Sequence, residues 1–235
     1  MIVNSDVKSL EIHTAAFLSQ DKVLMNELWG GFDLHTDNQT RFILPSRHVA
    51  KFFIFRILFG GTEFGFAKDP DFYECKFSIS QWKEVIRKFY DKYQGIAEWH
   101  EKILREAKAS GQLIMPHGRV YPFTRIQRRG EWVWPETEIK NYPVQGLGAD
   151  LMTLFRVLVW TEIKRREIEA LMVSSVHDSL VIDTPEKNVE EVLTIKQNCA
   201  TIVGIEFEKR FGIEYNLPFR IECQVGKDFK NMEEV

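Results

Sequence analysis

The stretch SSVHDSLVIDT sets a carboxylate, Asp178, beside His177 at the tip of two apolar runs that fold back as a hairpin. A carboxylate there could hold a hard cation through its oxygens. Asp is also an ordinary residue of tight, solvated turns, and taken alone the stretch reads as a turn. A second pattern begins after Pro45, where Ser46 is a candidate N-cap. From it Arg47, Lys51, Phe55 and Phe59 recur at four-residue spacing and form one slowly drifting helical stripe. Two cations lie near the N-terminus, where the helix dipole already favours anions, and two aromatic rings lie further along. That order suits a ligand with a polyphosphate at one end and a flat base at the other. By spacing alone, a core helix with snorkelling cations and core aromatics is the better fit.

The elements that must position these residues follow from periodicity and punctuation. Residues up to Asp6 read as the end of a strand. Leu10, Ala15, Phe17, Leu18, Leu24 and Leu28 fit one or two amphipathic helices over 9–29, stopped by Gly30-Gly31. The helix from Ser46 stops at Gly60-Gly61, and 80–110 is helical with a division at Gly95. Residues 119–138 carry Gly, Pro and aromatic punctuation and predict loops or short strands. A long helix over 148–171 buries Leu151, Leu154, Phe155 and Leu158, and the hairpin follows. A helix over 186–203 and a closing strand, FRIECQVG, complete the chain. Strands at both ends enclosing mainly helical sequence predict an α+β domain with a helical insertion.

Composition narrows the function classes. The chain has 235 residues, 44% of them hydrophobic and 28% charged, the balance of an ordinary globular protein. No apolar run approaches the ~20 residues of a membrane span and no signal peptide opens the chain, so a membrane partner is not expected. Cys75, Cys199 and Cys223 are widely separated, which fits reduced core cysteines in a cytoplasmic setting and argues against a structural zinc. The net charge of -3 gives no general affinity for nucleic acid, yet RIQRRG (125–130) and IKRRE (163–167) are basic runs. Either could meet phosphate, although such short runs are usually solvated faces.

Four segments together resemble the motifs of family A DNA polymerases, in family order. RHVAKFFIFRILFGG resembles motif B, and NSDVKSLEIHTAAF with its continuation to DLH resembles motif A. NYPVQGLGADLM resembles the Gln-Gly-x-x-x-Asp segment, and VHDSLVID resembles motif C. The similarity is to bacterial DNA polymerase I and phage replicative relatives, and it runs from Asp6 to GKDF near the end. It implies a palm of antiparallel sheet and flanking helices, formed by 1–20 and 145–235, with a mainly helical fingers insertion over 21–144. On this resemblance, thumb and exonuclease domains are expected to be absent.

The resemblance also implies a chemistry. Asp6 and Asp178 become the catalytic carboxylates, and together with the Val7 carbonyl they hold two Mg²⁺ ions, with Mn²⁺ as a substitute. Two carboxylates sharing a site repel one another unless cations are present. Glu11 matches the residue that excludes a ribose 2′-hydroxyl. Arg47, Lys51 and His35 match triphosphate ligands. Phe55 matches the residue packing on the nucleotide, and Phe59 stands where the family usually has Tyr. Asn141, Gln145 and His177 match residues touching template or primer. The implied partners are primer-template DNA and dNTPs.

Departures from the family pattern are Ser9, His13, Arg56, Thr137 and Ser179, the last in place of an accessory Glu. They leave room for a second reading, a catalytically weak or inactive DNA-binding scaffold subunit. Only five residues precede Asp6, so a split polymerase is expected. In that arrangement a separate subunit supplies thumb and remaining palm and docks near Ile2–Asp6 and the closing strand, where an open sheet edge is expected.

Overall fold

Alternation of buried and half-buried residues in IVNSDV makes β1 (Ile2–Val7) a strand with one face in the core. The computed structural model describes all residues 1–235. After β1 come α1 (Leu10–Ser19), α2 (Lys22–Gly30), α3 (Leu34–Phe42), α4 (Arg47–Leu58), α5 (Glu63–Phe66), a 3₁₀ turn Pro70–Cys75, α6 (Ile79–Lys92) and α7 (Gln94–Ser110). Short strands β2 (Gln112–Ile114), β3 (Val120–Pro122), β4 (Ile126–Arg128) and β5 (Glu131–Val133) precede the long helix α8 (Glu136–Arg165). The chain closes with β6 (Leu171–Val176), β7 (Ser179–Asp183), α9 (Val189–Phe211), β8 (Ile221–Gly226) and β9 (Met232–Glu234). The fold is α+β, and it divides into two compact units, Met1–Leu10 with Gly146–Val235, and Glu11–Gln145.

The first unit is built on a five-stranded sheet in the order β6-β7-β1-β8-β9, antiparallel throughout. Val3, Ser5 and Val7 of β1 are buried, as are Leu180 and Ile182 of β7. Val192, Ile195, Cys199, Val203 and Phe207 form the buried face of α9, and Leu151, Phe155 and Val159 of α8 add to this core. Leu158 is only half-buried, and Val159 takes the inward place expected for it.

Contrary to the sequence-based expectation, residues 2–6 present no open edge. β1 is the middle strand, paired with β7 through Asn4↔Val181 and with β8 through Asn4↔Gln224. On the closing-strand side β9 covers β8, and the longer uncovered strand is β6. A partner therefore has no free backbone ladder to meet at Ile2–Asp6.

The second unit owes its core to aromatic residues. Phe53 of α4 stacks on Trp82 of α6 at 6.0 Å and meets Phe42 and Phe89 edge-on at 5.7 and 5.9 Å. Phe66 stacks on Trp82 at 5.0 Å. Offset and edge contacts of this kind add to the area they bury. Ser46 caps α4 as expected, accepting from the Val49 N–H, and Ser78 and Gln81 form a capping box on α6. The helical run over 80–110 divides at Tyr93, not at Gly95. α4 ends because the Gly60 backbone has φ +85°, and a Cβ on Gly61 would stand 2.9 Å from the Arg56 carbonyl. No helix is long and apolar enough to cross a membrane, and all three cysteines are free and buried.

Candidate active site

The hairpin tip and β1 bring the two expected carboxylates together. Asp6 pairs with Ser179 across β1 and β7, and the Val7 N–H donates to the Asp178 carbonyl at 2.9 Å. His177 holds the left-handed backbone at φ +53°, the conformation a two-residue hairpin turn demands at its first position. That turn leaves Asp178 half-buried and His177 exposed. Period-2 alternation turns Asp6 and Asn4 to the sheet face opposite Val3, Ser5 and Val7. On that face Asn4 Nδ2 donates to Asp6 Oδ2 at 2.8 Å, and the Ser179 hydroxyl donates to Asn4 Oδ1 at 2.6 Å.

Burial raises the Asp6 pKa above the usual carboxylate value, and the charge of Asp178 raises it further. Asn4, Ser179 and the more distant Lys196 pull it back only in part. The two carboxylates thus repel within the unit that holds them. No return bond runs from the Asp178 N–H to the Val7 carbonyl, so that carbonyl is uncommitted on the side of β1 facing β7. Carboxylate and carbonyl oxygens are the donors that hard divalent cations take, and a cation would relieve the repulsion. These residues fit such an ion. No group of three or more His, Cys, Asp or Glu residues that could hold a metal ion gathers here or elsewhere.

In the second unit α3 and α4 gather four of the expected residues. Arg47 and Lys51 are exposed in the first turns of α4, and Phe55 is half-buried one turn further. The imidazole of His35 lies 6.2 Å from the Phe55 ring. Burial lowers the His35 pKa to about 4, with the Arg47 and Lys51 charges adding to the effect and Asp33 opposing it. His35 is therefore neutral at physiological pH, and its buried Nδ1 has no hydrogen-bond partner. Phe59 lies just beyond the helix, as its C-cap, and is half-buried.

One residue here had no counterpart in the sequence reading. Asp33 caps α3 by accepting from the His35 and Thr36 N–H groups, and it takes both arms of Arg47, at 2.8 and 3.1 Å. The Arg47 hydrogen bonds hold the Asp33 carboxyl far below the usual range. Arg47 is thus paired with an anion within its own unit. Glu11 lies in the first turn of α1. Asn141 and Gln145 are four apart on α8, half-buried and exposed respectively. Arg56 has a local role, pairing with Asp69 at 3.3 Å and Asp71 at 3.0 Å.

Lys196 was also missed. Its side chain is fully buried beneath the sheet, and its ammonium donates to the Val3 and Leu180 carbonyls at 2.7 Å each.

Comparison with known proteins bears on the family and the fold. The family model described as DNA polymerase family A matches residues 1–231. The thermostable DNA polymerase I of Thermus aquaticus is 25% identical over 244 residues, which cover 100% of this chain and 27% of that protein. DNA polymerase I of Aquifex aeolicus is 25% identical over 221 residues, 90% of this chain and 37% of the relative. The chain thus spans 27% to 37% of the length of these two relatives. Among solved structures, the POL domain of Pol1 from M. smegmatis, in complex with DNA primer-template and dNTP, superimposes with a TM-score of 0.79 at 19% identity. That match covers 97% of this chain and 39% of that one, and at this identity it speaks for the fold.

Proposed function

The chain belongs to DNA polymerase family A, and from that premise we propose that it performs template-directed DNA synthesis, moving a nucleotidyl group from a dNTP to a primer 3′-hydroxyl. The pairing of Asp6 with Asp178, seen in the raised Asp6 pKa and the Val7–Asp178 backbone bond, carries this proposal. The first unit is then the palm and the second the fingers.

Asp6, Asp178 and the Val7 carbonyl would hold two Mg²⁺ ions, or Mn²⁺ in their place, which would supply a more acidic primer hydroxyl and neutralise charge on the transferred phosphoryl group. Arg47, Lys51 and His35 bind the triphosphate, and Arg47 must exchange Asp33 for phosphate to do so. His35, neutral and with Nδ1 unpaired, offers a ring nitrogen to a phosphate oxygen without adding charge. Phe55 packs on the nucleotide sugar, Phe59 stacks on its base, and Glu11 crowds the 2′ position. Asn141, Gln145 and His177 hold template and primer. The new bond joins the primer oxygen to the α-phosphorus as the bond to the departing pyrophosphate breaks, in line. The protein's share is positioning and charge stabilisation.

A second reading, a DNA-binding scaffold with weak or no synthesis, draws on the absent third carboxylate and on the Arg47–Asp33 pairing. The proposal also includes a separate polypeptide that supplies thumb and remaining palm. Primer extension with Mg²⁺, with and without such a partner and with an Asp178→Ala control, separates the two readings. Extension that depends on Asp178 supports the enzyme. Binding of primer-template with no extension under any condition supports the scaffold.

A further inference from the structure

The hairpin of β4 and β5 is a small sheet of its own, in the second unit. Its register pairs Ile126↔Val133, Gln127↔Trp132 and Arg128↔Glu131 around a two-residue turn, Arg129-Gly130. Both turn residues have positive φ, 51° and 86°, as a type I′ turn requires. One step outward the register sets Arg125 opposite Trp134, and the Arg125 guanidinium does lie over the Trp134 ring, 5.8 Å from its centre. Alternation therefore gathers Arg125, Gln127, Trp132 and Trp134 on one face of the ribbon.

The face is unusual for a protein surface. Trp132 is 65% exposed, a large flat ring left in water. An isolated two-stranded hairpin gains little from its own packing, so nothing in the ribbon itself explains why an indole is kept there. The ribbon is also basic. Residues 125–134 contain three arginines against one glutamate, in a chain whose net charge is -3. No ion pair within the chain engages Arg125, Arg128 or Arg129.

An exposed indole beside exposed guanidinium groups that form no ion pair offers two kinds of contact at once. The ring can stack on a base and the guanidiniums can meet backbone phosphates. Stacking requires bases whose faces are open, which a duplex hides and a single strand presents. We propose that the β4–β5 hairpin grips single-stranded nucleic acid, with Trp132 stacking on a base and Arg125, on the same face of the ribbon, meeting a flanking phosphate. The inference rests on the polymerase reading only in supplying a nucleic acid that has a single-stranded stretch. The contact itself is set by the ribbon's own chemistry.

The test measures binding without synthesis. Fluorescein-labelled dT16, a blunt duplex of the same length and an acidic peptide are titrated against the intact chain in the presence of EDTA and the absence of dNTP. The proteins are wild type, Trp132→Ala, Trp132→Phe, the arginine variant Arg125→Gln, and Asp178→Ala. Circular dichroism confirms that each is folded.

Removing a stacked base contact weakens binding roughly 5- to 150-fold, so Trp132→Ala is expected to raise the Kd for dT16 by about tenfold or more, while Trp132→Phe recovers most of the affinity. The arginine variant weakens binding and flattens its salt dependence, because fewer phosphate counterions are released. Wild-type affinity for dT16 in both Trp132→Ala and the arginine variant would overturn the proposal, as would tighter hairpin-dependent binding of the duplex or the acidic peptide. Hairpin-dependent dT16 binding by a chain that never extends a primer would sink the polymerase reading and leave this one standing. Asp178-dependent extension together with hairpin-independent dT16 binding would do the reverse.

Discussion

Replacing Lys196 by Met should stabilise the protein near neutral pH, by an amount that fades as pH rises. The ammonium is fully buried between α9 and the sheet, and burial lowers its pKa from 10.5 to about 7, against smaller opposing effects from Cys223 and Asp6. Below pH 7 the lysine is protonated whether folded or unfolded, and the cost of burying its charge is present in full. Between pH 7 and 10.5 the unfolded chain still holds a proton that the folded chain has released, so stability rises with pH. Above that window both forms are neutral and the cost is gone. A fall from 10.5 to about 7 corresponds to roughly 5 kcal/mol against the charged form.

Met removes that cost but also the two hydrogen bonds to Val3 and Leu180. Buried charges exchanged for apolar groups of similar volume gain about 1–4 kcal/mol, and the expectation is on the order of 2 kcal/mol at pH 6. That is a rise in Tm of about 4–8 °C for a chain of this size. Urea melts of wild type and Lys196→Met from pH 6 to pH 10 measure it. The gap should be widest at pH 6 and shrink steadily above pH 7. A variant less stable than wild type at pH 6, or a gap independent of pH, would show that the buried ammonium is a net stabiliser and refute the reasoning.

Three further outcomes follow from the same geometry. Asp6→Asn should raise the Tm of the metal-free chain near pH 7, because the raised Asp6 pKa marks an ionised group that folding disfavours; the Tm increase that Mg²⁺ gives wild type should vanish in the variant. Glu11→Ala should raise ribonucleotide incorporation relative to deoxynucleotide, read from single-turnover rates, and unchanged discrimination would leave Glu11 a structural residue. Phe55→Tyr should improve dideoxynucleotide use in a chain-termination assay, because the added hydroxyl can replace the missing 3′-hydroxyl contact.

What was legible in the sequence was local. The Ser46 cap, the four-residue stripe and the two-residue hairpin each depend on neighbours within a few positions, and the structure has all three. α3 was missed because LHTDNQTRF is short and mostly polar, although Asp33 as its N-cap was a readable signal. α8 starts at Glu136, twelve residues before the expected 148, and its interior tolerates Pro143. It also ends at Arg165, before the expected 171.

Long-range pairing left no local trace. Nothing within IVNSDV says that it lies between β7 and β8, so an exposed edge was expected where the centre of the sheet stands. The Arg47–Asp33 pair joins residues fourteen apart on different helices. Lys196 reads as an ordinary helical cation until the sheet above it is known. The carboxylate pair itself joins opposite ends of the chain and was reached only through the resemblance of the surrounding motifs.

Single-nucleotide incorporation on a primer-template with Mg²⁺, comparing wild type with Asp178→Ala at matched DNA occupancy, tests the central claim most directly. The account predicts that wild type adds the templated nucleotide, slowly unless the partner chain is present. It predicts that Asp178→Ala binds the same DNA yet is slower by at least ~100-fold, the scale on which losing one preorganised electrostatic contact at developing charge is felt. Equal incorporation rates in the two proteins would contradict it.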